Sequence, residues 1–342
     1  MNTVPPATGP QAGPGTESQP LRLRRLGRSP VRVTEFSFGA AAIGNLFTEV
    51  TDDDARAAVD AAWYGGIRTF DTAPHYGLGL SERRLGDALR NRPRAEFVIS
   101  TKVGRLLQPA GPPPYGPDPE GFAVPARQVR EFDFSADGIR RSLDASLHRL
   151  GLDRVDIVLI HDPDEHAEQA FREAYPALEK LRAEGVVGAI GAGMNQAAML
   201  TRFITDTDID VVLLAGRYTL IDQSAADALL PAALDRGVSV IAGGVFNSGL
   251  LAAPVPGATY EYQSAPDELL DRARQLESTC ARYGVPLRAA AARFPLRYPA
   301  VASVLIGARS AAEVTDAITL RGADIPAALW DALAVTAEQG RP

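Results

Sequence analysis

Cysteine is almost missing from this chain of 342 residues: Cys280 is the only one. No intramolecular disulfide can form, which fits a reducing, cytoplasmic setting without establishing it. The lone thiol sits in LESTCARYG, a helical stretch, and reads as a buried structural group rather than a nucleophile. Long apolar runs are also absent. No segment reaches the roughly 18 apolar residues of a membrane-spanning helix, so no membrane partner is expected. Positive charge is not in excess. The net charge of −7 argues against a broad electrostatic grip on nucleic acid. Finally, no Gly-x-Gly-x-x-Gly opens a strand–helix unit, so a Rossmann-type site is not indicated. A dinucleotide bound in another way stays open.

What is present is an ordinary globular mixture, 46% hydrophobic and 23% charged, ample for a sizeable core. Residues 1–20, rich in Pro, Gly, Thr and Gln, lack a basic start and an apolar stretch. They read as a disordered tail, neither signal peptide nor anchor. Next, LRLRRLGRSPVRVTEFSFG places two alternating runs around a Gly–Ser–Pro turn, predicting a β-hairpin and then a strand.

From there strands and helices alternate. The strand candidates TEFSFGAAAIG, IRTFDTA, EFVISTKV, VDIVLIHD, VVGAIGAG, DVVLLAGR, SVIAGGVF and ASVLIGA are mostly continuous apolar runs. Strands covered on both faces look like this. In the intervening segment EQAFREAYPALEKLRAEG, Phe171, Ala174, Tyr175, Leu178 and Leu181 share one helical face, and Gly185 supplies a stop. Such a repeat predicts an α/β fold, a (β/α)8 TIM barrel with an N-terminal β-hairpin and extra helices near the C-terminus. Residues 21–338 are expected to form one domain. Two stretches break the repeat: the proline-rich segment 104–133, read as a long loop, and a helical pair over 266–298.

A barrel puts its chemistry at the C-terminal ends of its strands. Asp71 ends the second strand candidate and Tyr76 follows it. Lys102 ends the third and His161 the fourth, and Asn195 follows the fifth. Arg217 ends the sixth, Asn247 and Ser248 follow the seventh, and Gly307, Ala308 and Arg309 follow the eighth. Singly, each has a structural explanation: a solvated strand end for Lys102, a satisfied core histidine for His161. Four such groups on one rim are harder to ascribe to accident.

The motifs FDTAPHYG, STK, LIHD and GAGMNQ, in that order, resemble the aldo-keto reductase superfamily over nearly the whole ordered chain. Within it, DTAPHYGLGLSERRLG, STKVGRLL and AGRYTLIDQ look most like the sugar and pyridoxal dehydrogenase branch. The resemblance implies a catalytic tetrad of Asp71, Tyr76, Lys102 and His161. In it Tyr76 is the acid/base of hydride transfer, Lys102 lowers the phenol pKa, Asp71 holds Lys102, and His161 orients the substrate oxygen. It also implies NAD(P) along the rim, touched by Gly39, Ala40, Asp71, Asn195, Arg217, Asn247, Ser248, Gly249, Leu250, Gly307, Ala308, Arg309, Ser310, Glu313 and Asp316. His75, Tyr76, His161 and Tyr115 would meet a small-molecule substrate, with Phe122, Phe132 and Phe134 as further walls. His75 is equally readable as a water-facing loop residue.

The chain departs from the family pattern in two places. Ala215 stands where many members have Gln, and Gly243 where many stack an aromatic ring on the nicotinamide. NAD is expected to be preferred over NADP. Gly307 takes a usual basic position and Glu313 falls near a usual arginine, with Arg309 as counter-indication.

A metal at His161, Asp162, Asp164 and His166 is not expected, because no second cluster completes the set. Two other functions share the same residues. One is a Schiff-base lyase using Lys102. The other is a slow-turnover, cofactor-loaded regulatory protein.

Overall fold

The computed structural model describes residues 21–338, with side chains to residue 334. The expected tail, residues 1–20, lies outside the described residues.

β1 (Leu23–Arg25) and β2 (Arg32–Thr34) form the antiparallel N-terminal hairpin. Eight parallel strands then close into a barrel: β3 (Phe36–Gly39), β4 (Thr69–Asp71), β5 (Val98–Val103), β8 (Ile157–His161), β9 (Ala189–Met194), β10 (Val211–Ala215), β11 (Ser239–Gly243) and β14 (Val301–Gly307). Each coincides with one of the strand candidates, β9 and β14 running one residue beyond theirs at Met194 and Val301, and β14 pairs with β3 to close the ring. The expected (β/α)8 barrel, hairpin and C-terminal helical additions are all present.

Between the strands run α1 (Asp52–Tyr64), α2 (Leu80–Leu89), α3 (Ala136–Leu150), α4 (Ala167–Gln169), α5 (Tyr175–Ala183), α6 (Ala197–Asp206) and α7 (Leu229–Arg236). α8 (Asp267–Arg282) and α9 (Leu287–Arg293) form the expected extra pair. After β14 come α10 (Ala311–Arg321) and α11 (Ala327–Glu338). Local chemistry sets several ends. Thr51 accepts from the Asp54 amide to cap α1, and Ser135 does the same for α3 through Gly138. Between α4 and α5 the chain makes a π turn over Ala170–Ala174. Ala174, Leu178 and Leu181 of the expected helical face are buried, and Phe171 and Tyr175 pack against the same core.

The outward sides of the strands and the inner sides of the helices form the main core, from Phe36 and Trp63 to Phe203 and Val304. A separate cluster fills the barrel: Ile157, Leu159, Ala189, Val211, Leu213, Ile241 and Ala302, with Leu26 and Val33 of the hairpin packed on it from below. The hairpin therefore plugs the N-terminal end. At its turn the Gly27 amide donates to Ser239 Oγ at 2.7 Å. Cys280 is fully buried, and burial pushes its thiol up to about 11, as a structural group should be.

The segment 104–133 differs from the expected loop. Residues Arg105–Pro109 (β6) and Gln128–Phe132 (β7) pair as an antiparallel ribbon, Arg105 opposite Phe132 and Pro109 opposite Gln128. Except for Pro109 at the end of β6, the prolines lie between these arms, where no ladder hydrogen bond needs their missing N–H. A second small hairpin, β12 (Thr259–Tyr260) with β13 (Gln263–Ser264), stands on the long connection after β11.

Candidate active site

Register brings the strand-end residues level. Gly307 lies opposite Gly39, Gly39 opposite Asp71, Asp71 opposite Ser100, Lys102 opposite Leu159, and His161 opposite Gly193. Asp71, Lys102 and His161 thus reach one rim from adjacent strands. Tyr76 joins them from the turn between β4 and α2. That turn is pressed against the loop after β3. Gly77 has φ +60°, and a Cβ there would stand 2.2 Å from the Gly44 carbonyl oxygen. Only glycine allows this approach.

The four expected groups form a connected set. Lys102 Nζ donates to Asp71 Oδ2 at 2.6 Å and to the Thr72 carbonyl at 2.9 Å, and lies 3.0 Å from Tyr76 Oη. Lys102 is 1% exposed and Asp71 2%, so solvent hardly screens the pair. Burial works against the ammonium, but the Asp71 carboxylate and the Tyr76 oxygen outweigh it and hold Lys102 above the ordinary lysine value. Burial pushes the Tyr76 phenol up, and Lys102 pulls it only part of the way back. The expected lowering by the lysine is therefore real as a contribution but smaller than the desolvation. His161 meets the Tyr76 ring edge-on, centroids 5.9 Å apart. Burial, with Arg105 and Lys102 nearby, keeps its imidazole neutral. Its Nδ1 is buried without a hydrogen-bond partner.

His75 packs against Phe122 at 5.2 Å and His161 at 5.7 Å, so it faces the site rather than open water. Burial, helped by Arg105 and Arg130, lowers it to about 2. Tyr115 is a correction. The proline-rich tip of the ribbon carries it outward, where it is 38% exposed and its ring contact is the Arg127 guanidinium. Phe122 takes the place beside Tyr76, centroids 6.1 Å apart. Phe134 is buried and, with Phe132, stacks near His166 instead.

Several residues at the mouth carried no sequence expectation. Arg105 pairs with Asp162 and lies 3.2 Å from His75 Nδ1. Arg130 makes a two-pronged contact with Asp118, at 2.6 and 2.7 Å, and donates to the His75 carbonyl at 2.8 Å. Tyr262 and Phe47 meet over the rim, rings 5.2 Å apart. Arg105, three residues after Lys102, and Asp162, directly after His161, were the signals within reach.

Of the residues expected to hold a dinucleotide, several follow the ends of β9, β11 and β14. Gly249 and Gly307 each face open space where a Cβ would stand. Asn247 Oδ1 is buried without a hydrogen-bond partner among the described residues, and Ser310 caps α10 by accepting from the Glu313 amide at 3.3 Å. Asn195 is exposed just beyond β9. These features fit an elongated anionic group with close backbone approach.

Others on that roster are already engaged. Leu250 is buried in apolar packing. Ala40 is buried, its amide bonded to the Asp71 carbonyl and its own carbonyl to Ser81 Oγ. Gly39 ends β3, and Ala308, buried, follows the end of β14. Arg217 pairs with Asp222 at 3.2 Å and with Glu261. Ser248 accepts from the Tyr262 amide through its hydroxyl. Glu313 takes both the Arg309 amide, at 2.9 Å, and its guanidinium, at 3.2 Å, while Asp316 is held by Arg288. Ala215 and Gly243 are register partners, so the two departures from the family pattern are neighbours. Among the described residues, no three or more His, Cys, Asp or Glu side chains gather as a metal-binding set. Nor is any helix among them long and apolar enough to cross a membrane.

Comparison with known proteins gives the same reading. The aldo/keto reductase family model matches residues 35–333. D-threo-aldose 1-dehydrogenase from a Pseudomonas species is 48% identical over 307 residues, 88% of this chain and 93% of its own. Pyridoxal 4-dehydrogenase of Microbacterium luteolum is 40% identical, covering 91% and 96%. Among solved structures, an aldo-keto reductase of Bacillus halodurans in its holo form is similar with a TM-score of 0.72 and 25% identity, over 92% of this chain and 96% of that one. The chain belongs to the aldo/keto reductase family and is an NAD(P)-dependent oxidoreductase.

Proposed function

We propose that the chain oxidises an aldose at its anomeric carbon to the lactone, with NAD as the preferred hydride acceptor and Tyr76 as the acid/base. The observation that carries this reading is the buried line from Asp71 through Lys102 to Tyr76, with steps of 2.6 and 3.0 Å, ending on a mouth shared with His161. A nicotinamide, when bound, supplies the site that accepts or donates hydride. The protein's part is to move a proton at Tyr76 Oη. In oxidation the phenol oxygen takes the hydroxyl proton; in reduction it returns it. Lys102, held charged, stabilises the developing phenolate. His161, kept neutral, donates one N–H to the substrate oxygen and orients it.

The mouth supports a sugar. His75, Arg105 and Asp162 supply donors and acceptors for hydroxyl groups, and Phe122 offers an apolar face for the C–H side of a pyranose. Phe122 and His75 also suit a pyridine ring, which keeps pyridoxal as the second reading. One feature supports NAD: Arg309, the cation after β14 that the sequence offers to a 2′-phosphate, is engaged by Glu313. A Schiff-base lyase is disfavoured because Lys102 is charged and spends its donors on three acceptors.

The test is a panel of aldoses, L-fucose and pyridoxal with each cofactor, following absorbance of the reduced nicotinamide. The expected result is the highest kcat/KM with an aldose and NAD. A preference for NADP of about tenfold or more, equivalent to about 1.4 kcal/mol, overturns the cofactor assignment. Pyridoxal as the best substrate overturns the sugar assignment. No turnover with any pair would favour a regulatory, cofactor-loaded role.

A further inference from the structure

The opposite end of the barrel carries a second concentration of charge. A cavity of about 280 Å³ lies under the N-terminal hairpin, lined by five arginines and a single carboxylate, Glu35. The arginines come from separate elements. Arg22 and Arg24 belong to the hairpin, Arg293 ends α9, Arg297 ends the short helical turn Phe294–Arg297, and Arg321 ends α10. Several arginines elsewhere are matched with carboxylates, as in Arg94–Asp156, Arg182–Asp210 and Arg288–Asp316.

Three of the five have structural work. Arg321 donates to Glu35 at 2.6 Å, Arg24 Nη1 to the Val301 carbonyl at 3.1 Å, and Arg293 to the Ala323 carbonyl. The side chains of Arg22 and Arg297, both exposed, have no hydrogen bond or ion pair with any described residue. Arg297 lies over the Trp330 ring, its Cζ 4.6 Å from the centroid. That stacking orients the guanidinium and leaves its N–H edge free. Arg24 Nε is buried with no partner. Unpaired guanidinium groups around one recess repel each other until an anion joins them.

We propose that this recess binds a small phosphate-bearing anion, gripped by Arg22 and Arg297 with Arg24 as a further donor. The planar fork of guanidinium matches phosphate oxygens two at a time. The recess is one half-open spot rather than a stripe along the surface, which suits a small molecule and not a nucleic-acid strand. Its volume is at the low end for ligand sites. A bound anion would tie the hairpin to α9, α10 and α11, far from Tyr76. It would therefore raise stability and leave turnover alone.

Inorganic pyrophosphate is the probe. It is titrated calorimetrically into the full chain saturated with NADH, so that the rim is occupied, at fixed ionic strength. Arg22→Ala combined with Arg297→Ala should weaken binding by about tenfold or more, as expected for losing two charge-assisted contacts. The same pair should abolish the rise in Tm caused by pyrophosphate, with kcat/KM unchanged. Should the double variant fail to fold, Arg22→Gln, at an exposed position, should alone weaken binding several-fold. Equal affinity in wild type and variants overturns the proposal. So does an equal rise in Tm from sodium chloride at matched ionic strength.

Discussion

Tyr76 stands between two opposed influences, burial that holds its proton and an ammonium at 3.0 Å that loosens it. Burial is the stronger, so the phenol is protonated at neutral pH and its base form grows as pH rises. Oxidation should therefore speed up from neutral to alkaline pH, while reduction should slow at the alkaline end. Tyr76→Phe should keep the fold and lower kcat by about 100-fold or more, the usual scale for an acid/base group. Near-normal kcat in that variant would remove Tyr76 from the role. Lys102→Met takes away the loosening influence. Its residual oxidation should rise only at higher pH than in the wild type, which a pH–rate profile would show.

At the scale of elements, the ribbon β6–β7 carries the mouth. Arg130 grips Asp118, both side chains almost fully buried, and holds the His75 carbonyl as well. Arg130→Met leaves a buried carboxylate without its cation and loosens both the ribbon tip bearing Phe122 and the β4–α2 turn bearing His75. A change of this kind destabilises by about 3–5 kcal/mol where it is felt globally. Here the pair lies within a surface ribbon, which Arg130 ties to one turn through the His75 carbonyl. The expected result is a several-fold rise in KM with a smaller change in kcat, and faster proteolysis between residues 110 and 126. An unchanged KM would mean the ribbon does not shape the pocket.

This ribbon also marks the boundary of what the sequence reveals. The barrel strands are legible because helices cover their outer faces, so they appear as unbroken runs such as VDIVLI. The strand-end acid, lysine and histidine become legible once the barrel is assumed. β6 and β7 do not, because their pairing joins Arg105 to Phe132 across a proline-rich tip and leaves no local period. For the same reason the partners of Arg105 and Arg130 were invisible. Ion pairs between distant residues leave no mark in local pattern. Tyr115 was favoured over Phe122 because composition shows an aromatic but not the direction in which a loop presents it.

For the molecule as a whole, acid should act first at the end of the barrel that carries His75 and His161. His75 is lowered to about 2 and His161 lies well below its ordinary value, so the fold keeps both neutral. The unfolded chain takes up protons there near 6.5, which the fold does not. Stability should thus be intact above that pH and fall as pH drops toward the folded values. The loss approaches about 1.4 kcal/mol per pH unit for each histidine once pH is well below 6.5. Urea unfolding at several pH values should show this slope, and His75→Gln should make it shallower. An identical slope in the variant would assign the acid sensitivity to other groups. The contact of Gly77 with Gly44 has a different consequence. Two main chains, meeting where neither residue has a side chain, set how far the phenol projects over the rim. Gly77→Ala would keep every reacting atom and still shift the phenol, giving a way to vary proton-transfer distance independently of chemical identity.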